Sequence, residues 1–573
     1  MKGGTPLTVN RLESTLPAGS TAAEVGTLDR GLERAARSDG GLTFIDAQLA
    51  ESFFSYADML DRAERTAAAL RERECEPGDR VCLLGSTTPD LLATLFASWR
   101  AGLVPTIAPL PRGSDLGPWF DALRERMHAS GSRLLLAPEA FEHALRDKLP
   151  SAPIVAFEQL QSAARLDEPL PASPADTAYL QFTSGSTGRS RAVALGHAQI
   201  LWNVFGAVTD CLELTPEDVR VTWLPLYHDF GLVMLLSAVF TAAPLIVAPP
   251  EEFLRRPGLW MDACSRYRAA VTGGPNSAFA LATRDLELNP RELDLSSLRI
   301  VLNGSEPIDA ATMRGFERAA SRHGLPENAT CPSYGMAEAT LAVTAVRPDQ
   351  PVRVFAVDSA ELTDRRRARL VDGDAGDARQ LVGCGTPDPA SEVRILDDGG
   401  DELPPWQVGE IVVRGPSVMV GYDGDDEATT GVLRDGWLHT GDLGFVTDDG
   451  ELVPCGRIKD MVIVGGRNLY PEEFELLSER VEGVRRGNTI AFSLPDTERM
   501  VLVAETKVDA DAAAELAARV LRTLRGQLDS APMDVVVVPA GTLPKTSSGK
   551  RQRAACRELF LADDLPALAR ASA

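Results

Sequence analysis

Arg80-Val-Cys-Leu-Leu-Gly85, the segment from Pro89 to Ala101 and Val104-Pro-Thr-Ile-Ala108 follow one another with only short breaks. The first reads as a buried strand, the second as an apolar helix and the third as another strand. Strands alternating with helices imply a parallel, doubly wound α/β layer. Working outward, Leu42-Thr-Phe-Ile45 and Ser52-Phe-Phe54 predict two short strands around a polar turn. Ser55 stands where an N-cap belongs. Tyr56, Met59, Leu60, Ala63, Ala67 and Leu70 then recur at helical spacing to about Arg73. Residues 1 to about 40 are a poorly patterned lead-in, and Glu168 to Pro174 reads as a proline-rich linker.

The chain has 573 residues, too many for one ordinary core, so several subdomains are expected. Its 44% hydrophobic and 24% charged content is that of a soluble globular protein. A net charge of −24 disfavours nucleic-acid or anionic-membrane partners, which need a basic surface. The eight cysteines are scattered without a C-x-x-C pair, which speaks against a zinc site or disulfide framework and for a reducing cytoplasm. Gly231 to Pro250 carries no charge over twenty residues. Pro244 breaks it and Leu245-Ile-Val-Ala248 is strand-like, so it reads as a buried helix leading into a core strand, not a membrane span.

Tyr179-Leu-Gln-Phe182 is an apolar run that opens into Thr183-Ser184-Gly185-Ser186-Thr187-Gly188, followed by Arg189 and Arg191. Small residues let backbone N–H groups approach an anion, hydroxyls add donors, and arginine suits phosphate oxygens. Read alone, the stretch is a phosphate loop or a polar surface loop. It resembles the phosphate-binding loop of the adenylate-forming superfamily of acyl-CoA ligases, adenylation domains and luciferases. In that family a carboxylate attacks the α-phosphate of ATP. The family's Pro-Lys-Gly is Ser190-Arg191-Ala192 here, which keeps the charge and loses a glycine.

Further motifs follow in the family's order. Leu224-Pro-Leu-Tyr-His-Asp-Phe-Gly231 is similar to a motif of the fatty acyl-AMP ligases, a branch that activates fatty acids for acyl carrier proteins. The resemblance implies that His228 lies by the reacting carboxylate and that Asp229, Gly231, Met234 and Gly274 border an acyl pocket. Val271-Thr-Gly-Gly-Pro-Asn276 and Ile300 to Pro307 each read as a strand leaving into a glycine turn, where ligands bind in open α/β sheets. The second resembles the family's Asn-Gly-Ala-Glu-Pro, which brings Gly304, Ser305 and Glu306 to the adenylate. Tyr334, Gly335 and Met336 are implied at the adenine, and Glu338 as a Mg²⁺ ligand. In isolation Tyr334 reads as a core tyrosine and Glu338 as a surface glutamate. Asp442, in Thr440-Gly-Asp442, and Arg457 are implied at the ribose, Lys459 as a hinge, and Lys550 as the catalytic lysine.

The resemblance implies a large N-terminal domain over 1–458, made of doubly wound α/β subdomains and a small β-barrel at about 385–455. A smaller α+β domain over 459–573 moves on the hinge. The 47 residues between Glu338 and Gly385 are roughly twice the spacing in ordinary acyl-CoA ligases. The excess, at about 352–379, resembles the insertion of fatty acyl-AMP ligases; its plainer reading is a solvated surface loop. Its Asp364-Arg-Arg-Arg-Ala-Arg369 could attract an acidic carrier. The expectation is a cytoplasmic ligase using ATP and Mg²⁺, with a fatty acid and a phosphopantetheinylated acyl carrier protein as partners. An acyl-CoA ligase, an adenylating enzyme for another carboxylate and an inactive relic stay open as alternatives.

Overall fold

The computed structural model describes residues 19–111, 116–160, 162–183, 191–373, 378–464, 467–494, 499–525, 533–545 and 551–572. Strand Arg80–Leu84, helix Pro89–Arg100 and strand Val104–Ala108 form where the apolar runs place them. The helix starts because the Thr88 hydroxyl accepts the Leu91 N–H and Pro89 presets the first turn. The two strands pair in parallel within a four-stranded sheet that continues through Leu134–Ala137 and Ile154–Ala156. Val104–Ala108 is its edge, which is where Pro105 can be tolerated.

Beside it lies a nine-stranded sheet. Its order is Thr386–Pro387, Ala342–Ala345, Thr330–Gly335, Ile300–Asn303, Val271–Gly274, Arg220–Thr222, Leu245–Val247, Gly41–Ile45 and Glu51–Ser55. Six central strands run parallel, and the flanking pairs are antiparallel. Helix Tyr56–Glu72 leaves this sheet through a capping box between Ser55 and Asp58, a start worth about 1 kcal/mol. Helix Asp229–Phe240 is buried over nearly its whole surface and feeds strand Leu245–Val247, as the uncharged run predicts. Among the described residues no helix is long and apolar enough to cross a membrane.

Two segments hold structure that no pattern announces. The chain after the hairpin is α-helical over His197–Trp202 and becomes a π-helix over Asn203–Asp210. Gly206 packs there against the Trp202 indole, where a Cβ would collide with the ring. The segment at 352–379 is not a bare surface loop. Strands Val354–Asp358 and Ala378–Val382 pair antiparallel around helix Ser359–Asp364. Val357, Leu362, Ala368 and Leu381 are buried with Leu443, Phe445, Val453 and Tyr470, so apolar burial anchors this segment.

The region at 385–455 carries an antiparallel five-stranded sheet built on Glu392–Leu396, Gly409–Arg414, Trp437–Val446 and Leu452–Arg457. From Leu469 onward, a four-stranded sheet and the helices Pro471–Ser478, Ala510–Arg525 and Arg553–Leu561 enclose their own apolar clusters. The eight cysteines are all buried, free thiols.

Candidate functional site

Strands Val271–Gly274, Ile300–Asn303 and Thr330–Gly335 are parallel neighbours, so their C-terminal ends open on one side of the sheet. Tyr334 sits at that end. Its hydroxyl donates to Asp442 Oδ2 at 2.8 Å, and Arg457 Nε lies 2.7 Å from Asp442 Oδ1. Asp442 and Arg457 are direct cross-strand partners, which fixes the ion pair by register. Burial and the Asp442 carboxylate push the Tyr334 phenol well above its ordinary range, so it stays a donor. Asp442 holds the Arg457 guanidinium upward in turn. The corner is tight: a Cβ on Gly335 would overlap the Leu341 carbonyl, and one on Gly304 would meet the Ser333 hydroxyl. Met336 N–H donates to the same Leu341 carbonyl at 2.9 Å. Ser305 is held at φ +67°, a strained value for a non-glycine. The Glu306 side chain is engaged elsewhere. It accepts from the Ser277 N–H and hydroxyl at 2.9 and 3.2 Å, capping helix Asn276–Leu288.

Strand Thr177–Thr183 and strand Arg191–Gly196 form a hairpin in which Thr183 faces Arg191. Ser184, Gly185, Ser186, Thr187 and Gly188 lie at its tip, outside the described residues. The Arg191 guanidinium lies over the Tyr422 ring, 5.2 Å from its centroid. The Tyr422 hydroxyl donates to Glu338 Oε1 at 2.9 Å. Among the described residues no cluster of three or more metal-ligating side chains exists. A single half-buried carboxylate with one oxygen hydrogen-bonded fits Mg²⁺, which binds through one or two carboxylates plus substrate phosphates.

His228 caps the N-terminus of helix Asp229–Phe240, and its N–H donates to the Pro225 carbonyl at 3.1 Å. A Cβ on Gly231 would overlap that same carbonyl, so glycine is what lets the helix close on the turn. Gln181 Nε2 donates to the Tyr227 carbonyl at 2.7 Å, tying the His228 turn to strand Thr177–Thr183. An apolar cavity opens beside this turn. Ala207, Val208, Phe230, Met234, Leu302 and Ala345 are among its apolar walls. Gly304, Ser305, Tyr334 and Gly335 also line it, so Tyr334 belongs both to the cavity and to the Tyr334–Asp442 corner. Gly274 does not line it. A Cβ there would face Trp223 and Trp260, whereas its neighbour Gly273 faces Phe230 and Leu302, because successive strand residues alternate faces.

Lys550 lies outside the described residues, but its flanks are fixed. Lys545 and Arg551 form an antiparallel bridge that closes 546–550. Arg551 pairs with Glu479 at 2.7 Å and with fully buried Glu475 at 3.3 Å. Arg553 reaches Glu475, Glu472 and Asp460, the last at 2.7 Å. Asp460 adjoins Lys459, so this network joins the proposed hinge to the base of the lysine loop. The sequence reading missed Gln181, Tyr422, Leu302 and the π-helical wall of Ala207 and Val208. Gln181 and Leu302 lie inside strand-like runs in which no single residue stands out, Tyr422 sits in no motif, and no residue pattern announces a π-helix.

The sequence pattern of the AMP-binding enzyme family matches residues 32–423. The chain is 33% identical over 524 residues to the long-chain-fatty-acid–AMP ligase FadD26 of Mycobacterium marinum, covering 85% of this chain and 88% of the relative. It is 31% identical over 537 residues to the medium-chain-fatty-acid–[acyl-carrier-protein] ligase JamA of Moorena producens, covering 88% and 90%. A solved structure among the fatty acyl-adenylate ligases of E. coli and L. pneumophila superposes with a TM-score of 0.89 at 29% identity, over 95% of this chain and 99% of that one. The chain belongs to the AMP-binding enzyme family, the adenylate-forming ligases. Within that superfamily it stands in the fatty acyl-AMP ligase branch.

Proposed function

We propose that this ligase activates a fatty acid with Mg·ATP to acyl-AMP and pyrophosphate, then delivers the acyl group to the phosphopantetheine thiol of an acyl carrier protein. One observation carries the reading: Gly304, Ser305, Tyr334 and Gly335 help to line the apolar cavity, and the same Tyr334 belongs to the Tyr334–Asp442–Arg457 corner. On this reading an alkyl tail would enter between the apolar walls while the adenylate lies at the corner. Each methylene buried in the cavity contributes about 0.8 kcal/mol.

Asp442 and Arg457 would hold the ribose, with Tyr334 against the adenine. The hairpin tip and Arg191 would hold the β- and γ-phosphates, and Glu338 would hold the cation, which when bound offsets phosphate charge. A carboxylate oxygen beside His228 attacks the α-phosphorus. The bond to the bridging oxygen breaks, and pyrophosphate leaves. The Lys550 ammonium would bind the oxygens on which charge accumulates. Rotation about Lys459, between a domain over 1–458 and one over 459–573, then withdraws Lys550. The carrier thiol loses its proton, attacks the acyl carbon and expels AMP. The folded segment at 352–379 and the carrier-protein ligase among the relatives favour a carrier over free coenzyme A as acceptor.

Pyrophosphate release tests the first half-reaction. It should require a fatty acid and fall at least a hundredfold in Lys550→Ala. Release that ignores the acid, or survives the substitution, contradicts the assignment.

A further inference from the structure

Residues Met419 to Asp423 form a strut between the two charged elements of the phosphate corner. Met419 N–H donates to the Glu338 carbonyl at 2.8 Å. Val420 N–H donates to the Ala194 carbonyl at 3.0 Å and Asp423 N–H to the Ala192 carbonyl at 2.8 Å. Gly421 and Tyr422 pair antiparallel with Ala194 and Val193. The Asp423 carboxylate is anchored by Arg80 at 2.7 Å. One end of the strut therefore holds the backbone of Glu338. The other holds the strand that leaves the phosphate hairpin.

Tyr422 makes the same link with its side chain. Its hydroxyl donates to Glu338 Oε1 at 2.9 Å and is hydrogen-bonded by the Arg191 guanidinium, which also covers the ring. A phenol can donate one hydrogen bond and accept others, so it relays between a carboxylate and a guanidinium. Burial and the Glu338 carboxylate push the phenol up, which keeps it a donor. The ring is also a spacer. Without it, Arg191 and Glu338 could close into a bidentate pair that occupies both carboxylate oxygens and the guanidinium fork. With it, Glu338 has one oxygen held by Tyr422, and Arg191 is kept from neutralising it.

We propose that Tyr422 is a positioning residue that couples Arg191 to Glu338, presenting the carboxylate to a divalent cation and the guanidinium to the phosphates of the same nucleotide. The inference rests on the reading of Glu338 as a cation ligand. In this role Tyr422 acts through Arg191 and Glu338, and it is not among the residues that line the apolar cavity.

The test is Mn²⁺ binding to the full-length enzyme with α,β-methylene-ATP, followed by electron paramagnetic resonance. AMP affinity and melting temperature are measured alongside. Tyr422→Phe should weaken Mn²⁺ binding about tenfold, leaving AMP affinity and melting temperature near wild type. Glu338→Gln should also weaken Mn²⁺ binding. The double variant should be no weaker than Glu338→Gln alone, because the two residues act as one unit. Wild-type Mn²⁺ affinity in Tyr422→Phe, with Glu338→Gln weakened, overturns the coupling and leaves the metal reading standing. Wild-type affinity in Glu338→Gln overturns the metal reading and the coupling with it. Equal loss of Mn²⁺ and AMP binding with a lower melting temperature makes Tyr422 a packing residue and also overturns the proposal.

Discussion

The Tyr334 hydroxyl donates to Asp442 Oδ2 at 2.8 Å, and this bond joins two sheets. Tyr334 ends a strand of the nine-stranded sheet, while Asp442 belongs to the antiparallel sheet at 385–455. Arg457 occupies the other oxygen of the same carboxylate. The proposed nucleoside site is thus assembled across a seam. Tyr334→Phe keeps the ring and removes one hydrogen bond to a charged group, worth about 1.5 kcal/mol. The KM for ATP should rise about tenfold in pyrophosphate exchange, with the KM for the fatty acid unchanged. Asp442→Ala, which leaves Arg457 unpaired, should lower kcat/KM for ATP about a hundredfold.

The cavity is lined largely by apolar side chains, and Ala345 is a small residue among them. In the wild type, kcat/KM should rise about fourfold per added methylene until the cavity fills. Ala345→Phe should move the preferred acid several carbons shorter and leave the KM for ATP alone. A chain-length series read by acyl-AMP formation decides this. An unchanged preference would place the tail elsewhere.

His197 is buried, and its Nδ1 accepts the Leu28 N–H at 3.1 Å. Burial pushes its imidazole down to about 4, against 6.5 in the unfolded chain. Between these values the unfolded state binds a proton that the folded state does not. Stability is therefore intact above pH 6.5 and is lost as pH falls toward 4, by up to about 3 kcal/mol. His197→Asn should flatten the fall in melting temperature between pH 7 and pH 5, whatever its effect at pH 7.

The arginines of Asp364 to Arg369 are less available than their sequence suggests. Arg365 pairs with Glu361 and Arg366 with Asp398, each at 2.7 Å, and Arg369 pairs with Asp358. Each pair keeps one side chain at the surface, where ion pairs contribute little to stability but cancel the local field. Arg365→Glu should leave the rate of acyl transfer within about twofold. A larger loss would restore these arginines as a carrier contact.

The fold was legible wherever pattern and chemistry agreed locally. Ser55 with Asp58, Thr88 with Pro89 and the uncharged run into Leu245 declare their elements without outside help. Tyr334, Asp442 and Arg457, singled out in separate motifs, meet at one hydrogen-bonded corner. The rest depends on long-range placement. Tyr422 meets Glu338 across 84 positions of sequence, and Gln181 meets Tyr227 across 46. The face that Gly274 presents depends on strand register, which the motif alone does not settle. In the segment at 352–379 charges dominate the composition, so a solvated loop stayed open beside the insertion reading, and the few apolar residues that anchor it are spaced widely.

The choice of acyl acceptor tests the account most directly. Purified enzyme is given Mg·ATP and a ladder of fatty acids, with free coenzyme A in one reaction and a holo-acyl carrier protein in another, and products are read by mass spectrometry. The account predicts acyl-AMP in both reactions, acyl-carrier in the second and no acyl-CoA in the first. Ready formation of acyl-CoA would contradict it.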